Sequence, residues 1–154
     1  SDVLGSRTAP APCSATTPCP TVFNDSGTAT LRLSVKDLGT ANSPTTATSN
    51  NEVTINRYRV SSRRADGRNT PGVDVPYPFD GATTGTVPKG GTFALAFELV
   101  RHAAKGEAPL VQLVYNSSII TTIADVTFYG RDQVGNEVNV TGSIQVDFGN
   151  FGDR

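Results

Sequence analysis

Ile123-Ala124-Asp125-Val126-Thr127-Phe128-Tyr129 and Val138-Asn139-Val140-Thr141-Gly142-Ser143-Ile144-Gln145-Val146-Asp147-Phe148 flank a short stretch rich in Asp, Gly and Asn, and together they decide the fold class. Ala124, Val126 and Phe128 share one parity of the first arm; Val138, Val140, Ile144, Val146 and Phe148 share one parity of the second. Side chains alternate between the two faces of a strand, so each arm has one apolar face. The pair reads as a long β-hairpin.

Upstream, Phe93, Leu95, Phe97 and Leu99 alternate with Ala94, Ala96, Glu98 and Val100, which predicts a central strand with its phenylalanines in the core. The preceding Pro88-Lys89-Gly90-Gly91 reads as a hairpin connection to a strand over 83–87, its glycines supplying positive φ. Val53 and Ile55 share one parity while Tyr58 and Val60 take the other, so a single strand over 52–63 must carry a β-bulge near Asn56 or Arg57. Leu31-Arg32-Leu33-Ser34-Val35-Lys36 alternates strictly and predicts a half-buried first strand. Pro76 and Pro78 confine 73–79 to an edge or to irregular extended chain. In the long connection over 103–116, Leu110-Val111-Gln112-Leu113-Val114 fits a helical turn or a short strand equally well. Counting gives about seven strands and no amphipathic helix. The expectation is an all-β, Greek-key sandwich of two antiparallel sheets.

Gly130-Arg131-Asp132-Gln133-Val134-Gly135-Asn136-Glu137-Val138 resembles the Gly/Ala-x-Asp-x-Ala-Gly-Asn turn that joins the last two strands in many bacterial immunoglobulin-like surface modules, with Val134 where Ala is usual. The chemistry suits a turn: Asp132 can accept backbone N–H groups, Gly135 can supply positive φ, and Asn136 tolerates a left-handed conformation. The wider block, from Glu98-Leu99-Val100-Arg101-His102-Ala103-Ala104-Lys105 through Phe148-Gly149-Asn150-Phe151, is similar to small uncharacterised exported bacterial proteins, often lipoproteins. The likeness spans roughly 28–151. It implies an immunoglobulin-like fold and a surface or extracellular location, and carries no assigned activity. Those lipoproteins begin at an acylated cysteine, whereas position 1 here is Ser1.

Composition narrows the roles further. A chain of 16.1 kDa should fold to a surface of roughly 7,400 Å² from about 23,000 Å² unfolded, enough for one domain with one core. Thirteen basic and 14 acidic residues leave a net charge of -1, so the chain as a whole has no field to gather nucleic acid or an anionic membrane. No apolar run approaches the roughly 20 residues of a membrane span. Methionine is absent, position 1 included, which reads as a processed start, and the Thr-, Ser-, Pro- and Gly-rich remainder suits an exported sandwich. Cys13 and Cys19 lie six positions apart and suit a disulfide in an oxidising compartment, two free thiols being the alternative. Closing so short a loop is worth roughly 2–2.5 kcal/mol, a local staple. Residues 1–21, with Pro10, Pro12, Pro18 and Pro20, read as an extended arm outside the core of a domain over 22–154.

No constellation for nucleophilic, metal or cofactor chemistry is visible, and the chain reads as non-catalytic. His102 is the only histidine and suits an exposed or capping role. Glu98, Asp125 and Asp147 are carboxylates that folding alone could gather into a glycosidase-like pair. Arg57, Arg59, Arg63, Arg64 and Arg68 form the sole basic concentration; a solvated strand face is the default reading, and carboxylates of another copy, an acidic polysaccharide or phosphate are the partners it could receive. Asn24, Asn116 and Asn139 match the N-glycosylation acceptor pattern. Val3, Leu4, Val22 and Phe23 would give the arm apolar contacts if it added to the sheet edge of a neighbouring copy, a head-to-tail contact that yields open polymers. The expectation is therefore an exported structural or adhesive subunit that forms a filament or sheath, with other copies or other cell-surface proteins as partners. The alternative is a monomeric glycan- or ligand-binding module that uses loops 63–82 and 101–118 with Tyr77, Phe79 and Tyr115.

Overall fold

The computed structural model describes residues 1–34 and 39–151 and is an antiparallel all-β sandwich. Its strands are β1 (Gly5–Arg7), β2 (Cys19–Thr21), β3 (Asp25–Arg32), β4 (Gly39–Thr40), β5 (Ser43–Pro44), β6 (Val53–Arg63), β7 (Phe79–Val87), β8 (Thr92–Val100), β9 (Ile120–Asp132) and β10 (Glu137–Phe148). A helical turn, α1 (His102–Lys105), and a 3₁₀ segment over Leu110–Tyr115 fill the connection before β9. One layer is a four-stranded sheet in the order β10-β9-β6-β7, and the other is the β3-β8 pair.

The terminal hairpin forms in one unbroken register, from Glu137 opposite Arg131 to Phe148 opposite Ile120. Asp132 organises its turn: one carboxylate oxygen accepts the Val134 and Asn136 N–H groups and the other accepts the Asn136 side-chain amide, while Gly135 sits at φ 95°. Among the described residues only glycines have positive φ, so Asn136 holds the turn by its hydrogen bonds and not by a left-handed backbone. The parity switch in β6 is a register shift between Ile55 and Arg57 against both neighbours, which turns Val53, Ile55, Tyr58 and Val60 inward together.

Several expectations need correction. The strand expected to come first is β3, preceded by the short β1 and β2, and it starts at Asp25, earlier than the alternation suggested, because its inward positions there are Gly27 and Ala29, too small to register as apolar punctuation. A Cβ on Gly27 would lie 2.6 Å from the Phe97 ring, so the cross-strand phenylalanine fills that place. Val35 and Lys36 lie outside the described residues. Pro88-Lys89-Gly90-Gly91 does turn the chain, with Gly90 at φ 69°, but β7 and β8 belong to different layers, so the turn is a crossover and not a ladder-forming hairpin. For the same reason β8 pairs with β3 alone and is not central. Six strands reach eight residues or more; residues 76–78 are coil, and 110–115 took the helical option because Leu110 and Leu113 fall on one side of a threefold turn and are both buried.

The core between the layers is an aromatic cluster. Tyr58 and Phe97 meet edge-on at 5.6 Å, Phe97 and Phe128 at 5.3 Å, and Tyr58 and Phe79 at 6.3 Å. Edge-to-face pairs of this kind each add about 0.5–1.5 kcal/mol to simple burial. Glycines make room for the rings: a Cβ on Gly81 would fall 2.2 Å from Tyr58, and one on Gly85 1.9 Å from Phe93.

The N-terminal arm is not wholly outside this core. Val3 is fully buried, and Ser1 to Val3 run parallel to the end of β10: the N-terminal ammonium donates to the Asp147 carbonyl at 2.8 Å, and Val3 N–H to the Gly149 carbonyl at 3.0 Å. Burying one valine is worth roughly 1.5–3 kcal/mol, which explains why this end docks on its own chain. The rest of the arm returns through the β1–β2 pair, and a Cys13–Cys19 disulfide closes its loop. Lys105 is 2% exposed, and its ammonium meets the Asp25 carboxylate at 3.0 Å, tying α1 to the start of β3.

Candidate functional site

The two layers differ in width. Two strands cannot cover four, and the uncovered ground lies over β10. Val138, Val140 and Ile144 stand opposite Gly130, Phe128 and Ala124 on β9, which places them on the inward face of the sheet. Val146 and Phe148 on the same face are buried, yet Val140 and Ile144 are each 49% exposed. Between the Leu31 and Leu33 side of the upper layer and Val138 and Val140 of the lower runs an open trench of about 410 Å³, floored by Ile55 and Phe128. Its apolar walls belong to an inner face without a strand above it among the described residues.

The outer edge of β10 is equally bare. Residues 1–3 cap it from Asp147 onward, and residues 137–145 have no partner strand on the side away from β9 among the described residues. Natural edges are usually blunted by lysine, proline, a bulge or an inward-pointing charge. This stretch has none of these; Glu137, at its start, is its one charged residue. The accessible surface is 9474 Å², about 2,000 Å² above that of a compact monomer of this mass.

The basic concentration is already answered within the chain. On the outer face of the four-stranded sheet Arg59 pairs with Asp80 at 2.6 Å and Arg63 with Asp125 at 2.8 Å. Arg57 lies 3.9 Å over the Tyr129 ring, with Asp80 at 3.8 Å. Arg64 and Arg68 share Asp66 at 2.9 and 2.8 Å. Hydrogen bonds from Ser143 and then from Arg63 hold the Asp125 carboxyl below its ordinary range, and Arg68 does the same for Asp66. Five guanidiniums thus spend their forks on three carboxylates, as cross-strand and turn pairs.

The remaining candidates are dispersed. Val3 is buried in its own core and Leu4 partly so, whereas Val22 and Phe23 stay exposed near the arm. Asp147 stands opposite Thr121 and Asp125 opposite Ser143, roughly 14 Å apart along one face. Glu98 lies in the other layer, so the three carboxylates do not converge. Asn24 accepts the His102 backbone N–H at 2.6 Å and contacts its ring at 2.9 Å, which makes the pair a link between β3 and α1. Asn116 bonds its own loop through the Gln112 carbonyl and the Ser118 N–H, while Asn139 is exposed on β10. Among the described residues no group of three or more His, Cys, Asp or Glu side chains could hold a metal ion. At the proposed recognition end, loops 63–82 and 101–118 close on a void of only about 10 Å³, the size of one water. Phe79 is buried there under the Arg101 guanidinium, leaving Tyr77 and Tyr115 outside.

Sequence reasoning found the apolar stripe of β10 but missed that part of it is uncovered. A signal was present: Gly142 and the all-polar alternate positions Asn139, Thr141, Ser143 and Gln145 describe a strand with no protective charge. No protein-family model matches the chain, and comparison with curated proteins and with solved structures finds no match.

Proposed function

We propose that the chain is a non-catalytic, immunoglobulin-like subunit of an exported cell-surface assembly, a building unit that associates with further copies of itself through its open sheet edges and half-covered inner face. One observation carries this reading: inward-pointing Val138 and Val140 stay exposed beside a trench of about 410 Å³ and Ile144 is half-exposed, although Val146, two residues further along the same face of the same strand, is buried. Exposed apolar ground of this kind, continuous with an unprotected strand edge, marks association surfaces. The disulfide agrees with an oxidising, exported setting. Electron microscopy of the purified protein at rising concentration tests the reading. Ordered oligomers or fibres of one repeating unit are expected. A monodisperse monomer at every concentration that instead binds on a glycan array overturns it.

A further inference from the structure

We infer that the free edge of β10 pairs with the same edge of a second copy, antiparallel about a twofold axis at Thr141, to give one continuous eight-stranded sheet. The inference rests on the self-association reading above and names the surface. The register follows from what is free. Residues 1–3 occupy the edge from Asp147 onward, so the open stretch is 137–145, whose midpoint is residue 141. Centred there, Val138 faces Ile144 of the second copy on the inner face, and Thr141 faces its own mate on the outer face. Like-with-like pairing is the isologous arrangement a twofold requires. Faces match as well, because a pairing whose partners share parity keeps apolar opposite apolar.

Charge bears on the register. Glu137, the one charge in the stretch, accepts from Arg131 of its own chain at 2.7 Å and faces Gln145 of the second copy, whose amide lies on its own Asp147, so this register sets no like charges directly opposite. Moving the axis one residue toward the C-terminus would set Glu137 against Asp147, like charges directly opposite, which destabilises a strand pair. Gly142 has nothing within 4 Å of the place a Cβ would occupy, so the facing Val140 has room. Nine residues at about 3.4 Å each, along a sheet some 10 Å thick, hide on the order of 600 Å² in total. That lies below the roughly 1,200 Å² of stable complexes, so the dimer should be weak and concentration-dependent.

Cysteine trapping tests the axis. Among the described residues there is no free cysteine, so a single new thiol reports alone. In Thr141→Cys the two thiols sit on Cα atoms about 4.5–5.5 Å apart, within disulfide reach. Thr127→Cys lies opposite residue 141 on β9 and three strand spacings from its mate, about 14 Å, which is out of reach. Expected results are a covalent dimer from Thr141→Cys under mild oxidation, none from Thr127→Cys, and loss of the sedimenting dimer in Val140→Lys and Ile144→Lys. Both valine and isoleucine positions are half-exposed, so circular dichroism should report unchanged folding. Association that survives both lysine variants without trapping at residue 141 overturns this interface and leaves self-assembly standing. A chain that stays monomeric at all concentrations overturns both.

Discussion

Tyr58 joins the two layers through its ring and its hydroxyl. The β8 ladder skips Leu99 between the Asp25–Val100 and Ser26–Glu98 pairs, and the Glu98 N–H freed there donates to the Tyr58 hydroxyl at 3.1 Å. Tyr58→Phe keeps the ring and orphans that donor, so it should cost about 1–2 kcal/mol in a denaturant titration; no loss would mean the N–H finds water. The Lys105–Asp25 pair makes a sharper case. Asp25→Ala leaves a nearly inaccessible ammonium without its partner and should cost about 3 kcal/mol, the low end for a broken buried pair because Asp25 itself is 32% exposed. Lys105→Met removes the ammonium instead and should cost far less. Equal losses in the two variants would show that packing, not the unpaired charge, sets the cost. Neither contact was legible in the sequence, since Lys105 and Asp25 are 80 residues apart and nothing local marks a lysine for burial.

At the level of the strands, alternation exposed which side chains share a face and stayed silent about what lies above that face. In β10 the five apolar positions look identical in sequence, yet Phe148 is 1% exposed and Ile144 is half-exposed, because the narrow β3–β8 layer covers only one end. Phe148→Ala should therefore cost about 3–5 kcal/mol and Ile144→Ala less than about 1 kcal/mol in thermal or denaturant unfolding of the monomer. Comparable losses would mean that something covers Ile144 in solution. The bulge in β6 was legible because a parity switch has a single geometric cause in one continuous strand. The start of β3 was not, because Gly27 and Ala29 are small where Phe97 and Leu95 across the ladder supply the bulk.

Across the whole molecule, the fold class followed from strand patterning, but the partition of strands into layers did not. A Pro-Lys-Gly-Gly turn reads the same whether the next strand pairs beside the last or crosses to the other sheet, and here it crosses. The unequal layers, and with them the open edge, are a product of that choice. Electrostatics distributes more evenly: Asn136 lowers the pKa of Asp132, Thr121 and Gln145 that of Asp147, Arg68 that of Asp66, and Ser143 with Arg63 that of Asp125. Each carboxyl binds its proton less readily folded than unfolded. The stabilisation they give is complete above the ordinary carboxylate value of about 3.9 and drains away as pH falls through their lower folded values. Melting temperature should thus be flat from neutral to mildly acidic pH and drop at stronger acid; a rise there would contradict the assignment. The docked first residues carry one more consequence. Ser1 to Val3 lie parallel to Asp147 to Gly149, so tension between the two ends of the domain slides these segments past one another and loads their hydrogen bonds all at once. Single-molecule pulling should then show one abrupt rupture, whereas gradual unzipping from the C-terminal end would show that the clamp bears no load.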